Sequence, residues 1–161
     1  MSSGRVEDRT WGWELATNAE ALVTHLGGYS SFHDSAVRSL CMRRLRKTST
    51  GLDGQDLTHG LMRTMVDVRL EVLHNCYGPP PTNGRVDRMV VIDCLDVRQS
   101  EIDVDAMLEE ATIMEMTLSR VDGLIKLDLL PNVGLDVRLT CVQVVISDMP
   151  PYVRSSVWKA D

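Results

Sequence analysis

Long apolar runs, paired cysteines, glycine-rich nucleotide motifs and a surplus of positive charge are all missing from this sequence, and each absence removes a class of function. Without an apolar run long enough to cross a bilayer, no membrane-spanning helix is expected. The N-terminal Met-Ser-Ser-Gly-Arg-Val-Glu-Asp-Arg mixes charges of both signs and lacks the apolar centre of a secretory signal, which predicts a cytoplasmic protein. Lys and Arg number 17 against 23 Asp and Glu, a net charge of -6. Direct nucleic-acid binding, which needs clustered cations for phosphate, is therefore not expected. The glycines satisfy neither the P-loop nor the dinucleotide fingerprint, and no GxSxG or papain-like segment supplies a nucleophile.

What is present suits one domain. The 161 residues are 43% hydrophobic, enough for a chain of this size to bury about two-thirds of its unfolded surface. No repeat, linker or low-complexity tract divides it. We expect a single domain over 1–161, with a core over about 11–149 and frayed ends.

Four cysteines, Cys41, Cys76, Cys94 and Cys141, lie far apart and form no CxxC pair. Cys41, Cys94 and Cys141 sit in apolar stretches, where a free thiol behaves as a small hydrophobe, so buried thiols are expected. A disulfide or zinc site stays open for residues that meet only in the fold.

Hydrophobic periodicity gives one helix and then strands. Thr17-x-x-Glu20 fits a capping box, Ala19, Leu22, Val23 and Leu26 form one apolar face, and Gly27-Gly28 ends it. Trp11, Trp13 and Leu15 just upstream should anchor the entry segment. Val37 to Leu45 reads as a strand with a wet face, joined through the polar, Gly-containing stretch Lys47 to Gly60 to a second strand in which Val66, Val68, Leu70 and Val72 alternate with charged residues. Further strands are expected over Met89 to Val97, Ile113 to Leu118, Leu124 to Leu129 and Leu135 to Ile146, with a short helical turn over Asp103 to Glu110. Asp122-Gly123 marks a hairpin and Pro131 to Gly134 another turn. The fold class is α+β: a short N-terminal helix packed on a mainly antiparallel sheet of about six strands.

Metal and catalytic signals are weak. His25, His33, His59 and His74 show no ligand spacing such as HExxH, and Asp103-Val104-Asp105 lacks the rest of an EF-hand. His33, Asp34 and Ser35 contain the residue types of a triad, but neighbours in sequence point in different directions. Neither a metal nor a cofactor is implied. Charge is more informative: Arg38, Arg43, Arg44, Arg46 and Lys47 form a basic stretch, while Asp93, Asp96, Glu101, Asp103, Asp105, Glu109, Glu110 and Glu115 stand against Arg98 alone. If those carboxylates share a surface, they speed association with a basic partner.

Gly28-Tyr29-Ser30-Ser31-Phe32-His33-Asp34-Ser35-Ala36-Val37, after a helix and before a strand, resembles the Phe-His-Asp signature of the bacterial immunity protein 50-like family of polymorphic toxin systems. The similarity extends over roughly Leu15 to Ser147, through the strands at Val66 to Leu73 and Val90 to Val97 and the late segment Leu139 to Val144. The resemblance implies a non-catalytic, cytoplasmic immunity protein that binds a cognate toxin domain, often a nuclease with a basic cleft. The expected contact surface is Glu101, Asp103, Asp105, Glu109 and Glu110. Phe32, the only phenylalanine, is expected to anchor the turn before the sheet, with His33, Asp34 and Ser35 as a structural motif. Two other readings stand beside this one: a small metal-dependent or hydrolytic enzyme centred on His33 and Asp34, and an adaptor that forms a homodimer through a sheet edge.

Overall fold

A computed structural model describes residues 11–48, 59–104 and 112–158. Six strands, β1 (Ala36–Lys47), β2 (Arg63–Leu73), β3 (Met89–Asp103), β4 (Thr112–Val121), β5 (Leu124–Val133) and β6 (Asp136–Asp148), form one antiparallel sheet in the order β1-β2-β3-β6-β5-β4. One seven-residue helix, α1 (Glu20–Leu26), and a 3-10 turn (Trp13–Leu15) precede it. The expected α+β arrangement is met in its broad form, with little helix.

Alternation builds the core. Val68, Leu70 and Val72 of β2, Val90, Ile92 and Cys94 of β3, Ile125, Leu127 and Leu129 of β5 and Val137, Leu139 and Cys141 of β6 all point to one side, and the buried residues form one cluster. Asp122 and Gly123, both at positive φ, make the tight β4–β5 turn that the sequence marks.

The sheet curls so that the segment entering β1 meets β4. Ile113 donates its N–H to Ser35 O at 2.8 Å and accepts that of Asp34 at 3.1 Å; further along β4, Met116 N–H bonds Ser31 O and Leu118 N–H bonds Trp11 O. This entry segment covers the outer edge of β4, the kind of edge that otherwise invites pairing with another chain. Close approach at Leu118 requires Gly12: its φ is 85°, and a Cβ there would lie 1.7 Å from the Leu118 carbonyl oxygen.

Three expectations are corrected. The capping box does not form, because Thr17 is drawn into the sheet: its N–H bonds Val144 O, its carbonyl accepts from Ile146 and its hydroxyl accepts from Gln143 Nε2 at 2.7 Å. Ala19 is the N-cap and no side chain caps the helix, whereas Gly27 ends it at φ 87° as expected. Cys41 is exposed, since it lies on the outward side of β1; Cys94 and Cys141 are buried, and all four thiols are free. β3 runs on to Asp103, so the expected helical turn loses its first residue to a strand, and positions 105–110 of it lie outside the described residues. Among the described residues no helix is long and apolar enough to cross a membrane.

Candidate functional site

Two constellations come from the sequence motifs, and the fold treats them differently. The first is Phe32 to Ser35. Phe32 is fully buried, its ring 4.9 Å from that of Trp13 and edge-on to His74 at 5.6 Å. Trp13 in turn donates its indole N–H to Met116 O on β4. Ser30 Oγ accepts the Phe32 N–H at 2.9 Å and lies 2.9 Å from His74 Nε2. Burial pushes His74 down to about 4, so its ring is neutral at pH 7.

His33 and Asp34 are more open. Their side chains are 58% and 40% exposed and stand 3.5 Å apart, with His33 Nδ1 also 3.1 Å from Met114 O. Asp34 contributes mainly through its backbone, whose N–H bonds Ile113 O and whose carbonyl accepts from Tyr77. Ser35, fully buried, accepts the Asn75 N–H at 2.7 Å. The motif therefore ties the 3-10 turn, the start of β4 and the β2–β3 connection together at the point where the sheet closes. Among the described residues no group of three His, Cys, Asp or Glu side chains is placed to hold a metal ion.

The second constellation is charge on the outward face. On β1, β2 and β3 the charges pair with one another: Arg38 with Glu71, Lys47 with Asp67 at 2.7 Å, and Arg69 with Asp93 through two bonds of 2.8 and 2.9 Å. Burial alone raises the Asp93 carboxyl, but bonds from Arg69 and the Ser147 hydroxyl outweigh it and leave it below the usual range. Asp96, only 2% exposed, is gripped by Arg63 and Arg98, each through two bonds. Two of the eight carboxylates expected to form an acidic surface are thus already held by arginine. A groove of about 180 Å³ lies over this paired region, lined by Cys41, Arg43, Asp67, Arg69, Asp93 and Leu95.

Towards the C-terminal end of β3 the balance changes. Glu101 faces Arg138, and Arg138 faces Asp128 on β5; two rungs along, Asp103 faces Asp136. The Arg138 guanidinium lies 3.0 Å from Glu101, 3.5 Å from Asp136 and 3.8 Å from Asp128, and these carboxylates raise its pKa. Glu115 lies on β4 opposite Leu130 in the same outward set. One Asp136 carboxylate oxygen is buried without a hydrogen-bond partner among the described residues. Glu101, Asp128 and Asp136 therefore meet at one arginine, while Asp103 and Glu115 lie further along the same face and Lys126 occupies an outward slot of β5 beside Asp128.

Of the five expected contact residues, Glu101 and Asp103 lie on this face, while Asp105, Glu109 and Glu110 lie outside the described residues. Asp128 and Asp136 escape sequence reading because they sit in different strands, far from the acidic stretch. Their signal is positional: each occupies an outward slot between buried residues, Leu127 and Leu129 for one, Leu135 and Val137 for the other. No family profile, curated protein or solved structure matches this chain.

Proposed function

We propose that this protein is a cytoplasmic immunity protein, which binds a cognate bacterial toxin domain and blocks its active site or substrate access without catalysis of its own. The observation that carries the reading is the acidic face of β3, β6, β5 and β4, where Glu101, Asp128 and Asp136 crowd one arginine that neutralises only part of their charge. Glu101 is 76% exposed on its side-chain surface, so much of this charge is presented to a partner. A basic cleft, such as a nuclease uses to bind phosphate, is the complementary surface, and facing charges of this kind raise association rates and suppress wrong partners. The resemblance of the Phe32-His33-Asp34 segment to immunity protein 50-like families adds the biological setting.

The test has two parts. Where a long secreted protein with a variable C-terminal domain is encoded immediately upstream, co-expression with that domain should rescue growth of cells that the domain otherwise kills. In binding kinetics, Glu101→Lys with Asp128→Lys should lower the association rate about tenfold at low salt and flatten its salt dependence. Failure to rescue the adjacent candidate argues against that pairing. Unchanged kinetics in the double variant would remove the acidic face from the mechanism.

A further inference from the structure

Opposite the acidic face in sheet order lies β1, and among the described residues no strand pairs with most of its outer edge. β1 pairs with β2 over Ala36–Lys47, yet on its other side the described hydrogen-bonded pairing with β4 stops at the bridge between Ser35 and Ile113. A bulge between Val37 and Ser39 separates that closed end from the rest, and among the described hydrogen bonds the C-terminal segment meets β1 at Arg38, whose Nε donates to Val157 O at 3.2 Å. From Leu40 to Lys47 the edge meets no other strand among the described residues. That is about 26 Å at an ordinary strand rise, room for an added strand of typical length.

The side chains along this edge are cationic on both faces. Arg43 faces Asp67, which is already taken by Lys47, while Arg44 faces Val66 and Arg46 faces Thr64. Among the described residues no carboxylate lies in ion-pair contact with Arg43, Arg44 or Arg46. Beside them stand Met42 and Cys41, both exposed.

A second copy of this chain does not fit that strip. Antiparallel pairing of two β1 edges about a twofold axis through Arg43, Arg44 or Arg46 sets that arginine against itself, and an axis through Leu45 sets Arg44 against Arg46 and Arg43 against Lys47. Like charges directly opposite one another destabilise a strand pair. An extended segment carrying Asp or Glu meets the same positions with opposite charge while its backbone completes the unpaired ladder.

We propose that the Leu40–Lys47 edge of β1 is a docking strip for an extended acidic segment of a partner protein, which adds to the sheet as a further strand next to β1. This is strand addition: main-chain bonds hold the segment, and alternate side chains select it. The proposal stands apart from the acidic face, which lies on other strands and invites the opposite charge.

The probe is a fluorescein-labelled octapeptide alternating Glu with Val and Thr, titrated into the full chain and followed by anisotropy and by amide hydrogen exchange. Protection is expected over residues 40–47. Binding should weaken about tenfold or more both with a peptide N-methylated at alternate amides and with the variant Arg43→Gln, Arg44→Gln, Arg46→Gln. Glu101→Lys with Asp128→Lys should leave peptide binding unchanged, which separates this strip from the acidic face. Absence of binding, insensitivity to N-methylation, or protection elsewhere in the chain would each overturn the proposal and leave the arginines as guards of a bare edge.

Discussion

The Ser35 hydroxyl accepts the backbone N–H of Asn75 at 2.7 Å, joining the residue before β1 to the second residue past β2 across 40 positions of chain. Ser35 is fully buried, and its own N–H and carbonyl are engaged with Phe32 O and Ile113 N. Every polar group it brings inside is therefore paired, as burial demands.

Ser35→Ala removes the acceptor and leaves the Asn75 N–H without it. A loss of about 1–3 kcal/mol is expected, read as a lower urea midpoint at unchanged m-value. Phe32→Ala empties a fully buried ring site between Trp13 and His74 and should cost more, about 3–5 kcal/mol. If both variants matched the parent while partner binding failed, the motif would be a contact site and not a clasp for the sheet.

His74 makes stability depend on pH. Its folded-state value of about 4 lies below the ordinary 6.5, so below pH 6.5 the unfolded chain takes up a proton that the folded ring refuses. The contribution is complete above pH 6.5, declines as pH falls towards 4, and amounts to about 3 kcal/mol over that window. His74→Gln should flatten the stability profile between pH 7 and pH 4 by that amount. Equal slopes in the two proteins would mean that His74 titrates normally in the fold.

Much of this architecture is legible one strand at a time. The alternation of Val66, Val68, Leu70 and Val72 marks β2 because side chains point to opposite faces at period two, and a single phenylalanine in 161 residues is a natural anchor. What cannot be read that way is anything decided between strands. Cys41 sits in an apolar stretch yet is exposed, because β1 is an edge strand and the residue faces outward. Thr17 has the spacing of a helix cap but bonds β6, a partner more than a hundred residues away. The acidic stretch before β4 divides for the same reason: register gives Asp93 and Asp96 to arginines and places Glu101 and Asp103 beside Asp128 and Asp136.

Asp96 combines two constraints, a φ of 55° and a carboxylate held by Arg63 and Arg98. Asn tolerates that backbone conformation, so Asp96→Asn isolates the loss of charge and should cost about 1–3 kcal/mol. Asp96→Val removes the charge and also forces a β-branched residue to positive φ, adding about 1–3 kcal/mol of strain. Urea denaturation of the two variants separates the effects. Equal losses would show that the backbone at this position relaxes.

Edge protection by the β1 arginines yields a last prediction, about what the chain does alone. Arg44 and Arg46 lie on the same side of the strand, two residues apart, so one pair of substitutions clears that side of the open edge. Arg44→Val with Arg46→Thr raises strand propensity and removes the clash in edge pairings centred on Arg44, Leu45 or Arg46, apart from the weaker meeting of Arg43 with Lys47. The double variant should therefore self-associate, with a mass in sedimentation or light scattering that rises with concentration, while the parent shows no association through this edge. Arg44→Glu with Arg46→Glu restores like-charge repulsion in the same registers with the opposite sign and should return the parent's behaviour. A valine–threonine variant whose mass matches the parent at every concentration would show that charge is not what keeps this edge unpaired.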